Sequence, residues 1–206
     1  MERLILCGGG HVSLEVAHIA RRLEFELVII DDRPEFASRD RFPMAGQVVC
    51  APFLEALDAL GSRESDYYVI LTRGHAHDRD CLEHVLRGKY AYAGMIGSRT
   101  KVAAVKAALE AAGIAREILD GVHSPIGLPI GAQTPAEIAV SIAAELVWER
   151  ARRGSAAAPA RRTWKWSSSS WRRGRSTAAS SRKRQSSTPT SASKTEKTEG
   201  CTWKSS

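Results

Sequence analysis

The sequence predicts an α/β protein, namely a three-layer Rossmann-like domain with a mostly parallel sheet, followed by a disordered basic tail. Two observations predict the domain. Short apolar runs alternate with amphipathic helical segments along residues 1–153, and a run of glycines joins the first apolar run to the first helix. The tail is predicted because the apolar periodicity ends near residue 153, and 21 of the last 53 residues are Ser or Thr.

The first unit is a strand, a glycine turn and a helix. Residues 4–7 are apolar and predict a buried strand, three glycines follow, and a helical apolar stripe starts at His11. Gly8 permits a sharp reversal, and Gly10 lets the backbone approach a phosphate without a Cβ in the way. Ser13 replaces the third glycine of the usual motif and is small enough for close helix–strand packing. The N–H groups at the helix start, aided by the helix dipole, are suited to an anion.

A second buried strand completes this unit. Residues 27–30 are apolar and end on Asp31 and Asp32. Asp31 lies 23 positions after Gly8, close to the spacing of about 20 expected for an acid that binds a ribose hydroxyl. This order of elements predicts a nucleotide-binding βαβ unit. The alternative is a βαβ unit whose glycines only form a tight turn. In that case the fold is the same but the turn binds no ligand.

The rest of the domain continues the alternation. The further predicted strands, each followed by a helix or loop, are residues 47–50, 67–71 and 91–96. Residues 123–131 contain too many Pro and Gly for a helix and predict a packed loop or a short sixth strand. A last helix is predicted to run to about Arg153, because Thr134 is a good N-cap and is followed by Pro at the first helical position and an acid at the third.

Four loops are expected to meet at one edge of the sheet, because parallel strands place their carboxyl ends together. These loops are residues 8–11, 31–33, 72–78 and 97–99. The last of them begins a helix with an arginine, so it offers a guanidinium as well as N–H groups to an anion. His75, His77 and Asp78 lie within four residues of one another, but no fourth metal ligand is evident. We therefore predict that Asp78 caps the next helix, and we predict no metal site.

Charge distribution and cysteine content indicate the compartment and the kinds of partner that we expect. Residues 1–153 carry 18 Lys and Arg against 21 Asp and Glu, whereas residues 154–206 carry 12 against 2, so the basic character belongs to the tail. The four cysteines show no CxxC spacing and predict isolated thiols in a reducing compartment. There is no secretory signal and no apolar run of about 20 residues, so we expect a soluble, cytoplasmic protein without a membrane partner.

The tail, residues 154–206, allows two interpretations. Its basic residues would tether a nucleic acid or an acidic surface, with Trp164, Trp166 and Trp171 available to stack on bases. Alternatively, it comes from read-through or from a shifted reading frame after a natural end near Arg153. The longest unbroken basic run is only residues 182–184, so nucleic acid is not the partner that we expect.

Several ordered motifs point to a known family. They are CGGGHVS from Cys7, DDRP from Asp31, TRGH from Thr72, GMIGSR from Gly94, HSPIG from His123 and GAQTPAEIA from Gly131. Over roughly residues 3–150, they resemble the Rossmann domain of the XdhC/CoxI family, accessory proteins of xanthine dehydrogenase and related molybdenum hydroxylases. Typical members carry a separate N-terminal domain before the glycine turn, whereas here the first strand starts at Arg3. Pro129 stands where the family has an acid.

The resemblance implies a protein that binds molybdenum cofactor, assists its sulfuration and delivers it to an apo-hydroxylase. The implied partners are that enzyme and a sulfur donor protein, with a homodimer or a chain supplying the N-terminal domain as further expectations. The cofactor-binding candidates are Gly8, Gly9, Gly10, His11, Val12, Asp31, Asp32, Arg33, Arg73, His75, Gly97, Ser98 and Arg99.

The same site would also accept NAD(P), so two alternatives stay open: an NAD(P)-dependent oxidoreductase and a nucleotide-sensing regulatory domain. The sequence contains no Tyr-x-x-x-Lys pair or other dyad for hydride transfer. We therefore expect a cofactor-insertion factor without catalytic residues of its own.

Overall fold

The structure is a computed structural model, and it describes residues 2–73 and 75–156. The strands are β1 (Arg3–Cys7), β2 (Glu26–Asp31), β3 (Gln47–Cys50), β4 (Tyr67–Ile70) and β5 (Tyr92–Met95). The helices are α1 (His11–Arg22), α2 (Phe53–Leu60), α3 (His75–Arg87), α4 (Arg99–Ala111), α5 (Arg116–Asp120) and α6 (Pro135–Ala156). The alternation predicted from sequence is present in the described residues.

The five strands form one sheet in the order β3-β2-β1-β4-β5, and every pairing is parallel. The central strand is β1, in which Ile5 is paired with Val28 of β2 on one side and with Tyr68 of β4 on the other. Strands β2 and β3 lie on one side of β1, and strands β4 and β5 lie on its other side. This change of side leaves a crevice beyond the carboxyl end of β1, where ligands of such sheets bind.

Helices cover both faces of the sheet. Ile5 and Cys7 of β1 face a core formed with α2, α3 and α4, whereas Leu4 and Leu6 face a core formed with α1 and α6. All four side chains are fully buried. A strand buried on both faces reads as a continuous apolar run rather than an alternating one, as residues 4–7 do. The predicted three-layer Rossmann-like fold is confirmed.

The structure differs from the expectations in three places. The predicted sixth strand is reduced to one bridge between His123 and Gly94, and the segment around it is a packed loop. The short helix α5 was not predicted, because five residues are too few to show a helical period. The last helix continues to Ala156, three residues past the expected end. Its predicted capping box is present, since Thr134 and Glu137 exchange hydrogen bonds of 3.0 and 3.3 Å.

The predicted disordered tail lies, from residue 157 onward, outside the described residues. Within the described part of the chain, no helix combines the length and apolar character needed to cross a bilayer.

Candidate functional site

The first two glycines of the turn serve close backbone packing. Gly8 has φ +111°, and a Cβ there would collide with the carbonyl of Leu71. A Cβ at Gly9 would lie 2.9 Å from the carbonyl carbon of Phe36. The N–H groups of both glycines are already used, because Gly8 donates to the Ile30 carbonyl and Gly9 to Asp31 Oδ2, each at 2.7 Å. These two residues therefore shape the turn and offer no N–H to a ligand.

The third glycine has different surroundings. Gly10 is the N-cap of α1, it has an ordinary φ of −67°, and a Cβ added there would meet nothing within 4 Å. In the described part of the chain, the N–H groups of Gly10, His11 and Val12 donate to no protein acceptor, and the first turn of α1 contains no acidic residue. The open space and the unused donors coincide at the residue where the sequence predicted a phosphate.

Ser13 explains the missing third glycine of the motif. Its side chain is fully buried, and its Oγ donates to the carbonyl oxygen of Gly8. The hydroxyl thus satisfies a carbonyl at the bend while remaining small enough for α1 to lie against the sheet. The predicted packing role of Ser13 is confirmed, with a hydrogen bond added to it.

Asp31 stabilises the loop that follows β2. It is 1% exposed, its Oδ1 accepts from the backbone N–H and Nε of Arg33 at 3.0 and 2.9 Å, and its Oδ2 accepts from Gly9 N–H and Arg33 Nη2 at 2.7 and 3.0 Å. Burial acts to raise the pKa of Asp31, but the bonds from Arg33 and Gly9 outweigh it and hold the pKa below its ordinary value.

These four bonds already occupy most of the polar groups of both residues. A carboxylate has about four acceptor sites, so Asp31 has none left for a ribose hydroxyl, and two of the three Arg33 guanidinium nitrogens are committed to it. The neighbouring Asp32 is exposed, and its only close cationic partner among the described residues is Arg33 Nε at 3.8 Å. Asp32 is therefore the acid that a ligand can reach.

The other predicted residues lie on the loops after β4 and β5. Arg73 is exposed, and His75 begins α3, where its side chain lies outside the described atoms. Ser98 caps α4 by accepting from the Lys101 N–H at 3.2 Å, and Arg99 is exposed at the helix start. A Cβ at Gly97 would press against the side chain of Lys101, at 2.9 Å from its Cδ. The strand order brings both loops to the same edge as the glycine turn.

Asp78 joins these two loops. It is fully buried, accepts from Thr72 Oγ1 at 2.6 Å, and forms an ion pair with Lys101 of α4. Asp78 lies in the first turn of α3, and its capping role stays a prediction because the residue before that helix is outside the described ones. The structure adds a buried cross-link, since Lys101 reaches over from the neighbouring helix. Among the described residues, no group of three or more His, Cys, Asp or Glu side chains is arranged to hold a metal ion. His77 lies against the ring of Phe53 instead, with ring centroids 5.5 Å apart.

Two cavities lie at the ends of this edge. A cavity of about 390 Å³ is lined by Asp32, Pro52, Phe53, Leu54, Glu55, His77, Asp80 and Cys81. A second cavity, of about 480 Å³, lies between Arg99 and the loop of residues 125–132. The strands β2 and β5, which lead to these cavities, are three strand positions apart, or roughly 14 Å. The glycine turn lies between them.

Two groups at this edge escaped the sequence analysis. Arg41, on the loop between β2 and β3, donates from Nε to the carbonyl of Gly9 at 2.9 Å. Glu145 of α6 is 6% exposed and holds the loop of the second cavity, accepting from the Tyr92 hydroxyl and from the Gly127 N–H at 3.1 Å. Arg41 belongs to no motif, so no sequence signal could have found it. Glu145 lies three residues after Ile142 on the buried stripe of α6, and that position was a usable signal.

Comparisons with known proteins agree with this fold. A family model described as the XdhC Rossmann domain matches residues 4–146. The uncharacterized protein YqeB of Escherichia coli is 34% identical over 146 residues, and a Bacillus subtilis protein named as a probable xanthine dehydrogenase subunit is 30% identical over 156 residues. These alignments cover 70% and 73% of this chain, but only 27% and 43% of the relatives.

A solved structure gives the same result. The crystal structure of a xanthine dehydrogenase from Bacillus halodurans superposes with a TM-score of 0.68 at 30% identity, covering 77% of this chain and 45% of that one. The chain thus spans less than half the length of these relatives. The family match, the ordered motifs and the shared fold together show that this chain belongs to the XdhC family, of which it contains the Rossmann domain.

Proposed function

We propose that this chain binds molybdenum cofactor and acts, without turnover of its own, as an accessory factor for a xanthine dehydrogenase-type molybdenum hydroxylase. Membership of the XdhC family supports the accessory role, as do relatives whose names refer to xanthine dehydrogenase. In this role the protein would assist sulfuration of the cofactor by a sulfur donor protein and its insertion into the apo-enzyme.

The observation that carries the proposal is the start of α1. Molybdenum cofactor carries a phosphate, and the N–H groups of Gly10, His11 and Val12 point to no protein acceptor among the described residues. The space at Gly10 is one that even a Cβ would begin to fill, so the residues present fit a phosphate. The helix dipole adds a favourable field for the anion.

The second cavity suits the pterin end of the cofactor. It combines the Arg99 guanidinium with the Pro- and Gly-rich wall of residues 125–132 and the partly buried Ile138. Apolar surface would cover the flat ring, and exposed backbone groups of the wall would bind its polar edges. When bound, the cofactor supplies the molybdenum and dithiolene chemistry that the client enzyme uses. This chain would contribute binding, orientation and protection from water.

A second candidate ligand is a dinucleotide such as NAD(P). The cavity beside Asp32 favours it, because Phe53 and Leu54 offer apolar surface to a base while the Asp32 carboxylate faces the same space. The strands that lead to the two cavities lie roughly 14 Å apart, which is compatible with a ligand that has a group at each end. Under this alternative the chain would act as a nucleotide sensor or oxidoreductase domain.

Reconstitution distinguishes these functions. Apo-xanthine dehydrogenase, molybdenum cofactor and a sulfur donor are incubated with and without the full chain, together with a partner chain supplying the portion that the longer relatives contain. We expect the full chain to increase the yield of active hydroxylase, and we expect Gly10→Val to remove that increase because a branched side chain fills the phosphate position.

The control variant is Glu110→Gln, which changes an exposed residue far from the glycine turn. Mass spectrometry of small molecules released from the purified protein identifies the ligand directly. Oxidation or reduction of a small substrate with NAD(P) by this protein alone, without stimulation of the hydroxylase, would contradict the accessory role.

A further inference from the structure

The loop between β2 and β3 folds over the glycine turn and brings Arg41 to it. The Phe36 carbonyl lies against Gly9, and Arg41 Nε donates to the Gly9 carbonyl at 2.9 Å. The Arg41 guanidinium also lies near two aromatic rings, with Cζ 5.2 Å from the centroid of Phe36 and 5.7 Å from that of Phe42. One hydrogen bond and two ring contacts therefore fix the guanidinium beside the residue that precedes Gly10.

Arg41 differs from the other arginines of this loop. The Arg33 guanidinium is paired with Asp31, and Arg39 donates to the carbonyls of Ala45 and Gly46 at 2.5 and 2.7 Å. Among the described residues, by contrast, Arg41 has no ion-pair partner, and its buried Nη2 has no hydrogen-bond acceptor. Nη2 is fully buried, whereas the Arg41 side chain as a whole is partly exposed.

An uncompensated cation in this position is costly. A partly buried guanidinium without an ion pair loses hydration at its buried nitrogen and gains no opposite charge in return. The neighbouring backbone adds to the cost, because the start of α1 is also positive and its first turn has neither an acidic residue nor a side-chain cap. Folding thus brings two positive groups together at Gly9 and Gly10, and the nearest carboxylate, that of Asp31, is already paired with Arg33.

We propose that Arg41 is a ligand-binding residue, whose guanidinium pairs with a phosphate held by the N–H groups at the start of α1. The inference rests on the proposed function, since it takes the glycine turn to be the phosphate site. It identifies Arg41 as the positively charged side chain of that site. Neither the family motifs nor the spacing of the glycine turn points to this residue. Arg41 would bind the phosphate by a charge-assisted hydrogen bond. The hydrogen bond from Arg41 Nε to the Gly9 carbonyl already orients the guanidinium.

The test uses the full chain labelled with ¹⁵N and inorganic pyrophosphate as the probe. In the wild type, the amide signals of Gly10, His11 and Val12 and the Arg41 Nε–H signal should shift with one common Kd. Arg41→Met keeps the apolar stem against Phe36 and removes the charge, so its Kd for pyrophosphate should rise by about tenfold or more. Arg41→Lys should recover part of the loss.

Arg39→Gln is the matched control, because it removes a cation from the same loop whose bonds go to carbonyl groups. We expect it to leave the Kd unchanged. An equal loss of pyrophosphate affinity in the Arg39 and Arg41 variants would overturn the inference. So would an unchanged pyrophosphate affinity in Arg41→Met. If Arg41→Met does not fold, the Arg41 Nε–H signal of the wild type decides, and its failure to shift with the turn amides overturns the inference.

The outcomes for the two proposals are separable. If the wild type stimulates the hydroxylase but pyrophosphate leaves the turn and Arg41 signals unchanged, the accessory function stands and the role of Arg41 fails. If pyrophosphate binding depends on Arg41 but reconstitution shows no stimulation, the anion site stands and the accessory function fails.

Discussion

Gly9 and Gly10 are neighbours whose added side chains would meet opposite surroundings. A methyl group at Gly9 would overlap the carbonyl of Phe36, whereas one at Gly10 would enter open space. We therefore predict that Gly9→Ala lowers the free energy of unfolding by about 1–3 kcal/mol. Gly10→Ala should lower it by no more than about 1 kcal/mol, the usual cost of alanine at an N-cap, while weakening anion binding.

Urea unfolding and pyrophosphate titration of the two variants check this prediction. Each variant serves as the control for the other, because the substitution is identical and the positions are adjacent. If Gly10→Ala bound pyrophosphate as well as the wild type does, the open space at Gly10 would not be the phosphate position.

Asp31 makes the stability of the glycine turn depend on pH. Because its pKa is lower in the folded protein, its contribution is present above the ordinary carboxyl pKa of about 4 and is lost as the pH falls through the lowered value. Asp31→Asn should therefore cost about 1–3 kcal/mol at neutral pH. The difference between wild type and variant should shrink as the solution is acidified below about pH 4.

Unfolding of both proteins in urea at a series of pH values measures this difference. Asp120→Asn is the control, since Asp120 is exposed and forms no ion pair among the described residues. A difference between wild type and Asp31→Asn that grew on acidification would have the wrong sign and would exclude a stabilising carboxylate at this position.

At the scale of elements, α6 supports the wall of the second cavity. Glu145 accepts from Tyr92 of β5 and from Gly127 of the loop, and His123 Nδ1 lies 3.2 Å from Glu145 Oε1. Burial and the Glu145 carboxylate both raise the pKa of Tyr92, so its hydroxyl remains a donor. Through this one residue, α6 is hydrogen-bonded both to β5 and to the loop that forms the cavity wall.

Removing that carboxylate should loosen the loop. Glu145→Ala leaves the Tyr92 hydroxyl and the Gly127 N–H without their acceptor, so we predict a loss of roughly 2–4 kcal/mol and faster hydrogen exchange at Gly127. Glu145→Gln retains an acceptor oxygen and should lose less. Equal stability of Glu145→Ala and the wild type in urea would show that the network contributes nothing.

At the scale of the whole molecule, the fold was predictable because it depends on patterns that extend along the chain. Apolar runs such as residues 4–7 identify buried strands, and the glycines after them mark the turn into a helix. The strand ends then define one edge without any knowledge of side-chain contacts. The short helix α5 was missed because five residues do not complete two turns.

The site was less predictable, since its roles depend on contacts between distant segments. Spacing singled out Asp31 for a ribose hydroxyl, with Asp32 as a further candidate. Arg33 and Gly9 occupy Asp31, whereas Asp32 is exposed. Arg41 acquires its place only because its loop folds back over Gly9, 32 residues earlier. A sequence pattern carries no information about such a contact.

The central position of β1 also affects how the protein can be synthesised. It is the first strand of the chain, yet its partner β4 begins only at Tyr67, and the buried ion pair of Arg3 requires Asp66. At about 5–20 residues per second, roughly 2–8 s pass between completion of β2 and of β4, during which one side of β1 has no partner strand. A nascent chain with an open strand edge is prone to aggregation. Because Gly8 packs on Leu71, just after β4, the glycine turn reaches its final packing only once β4 has been added.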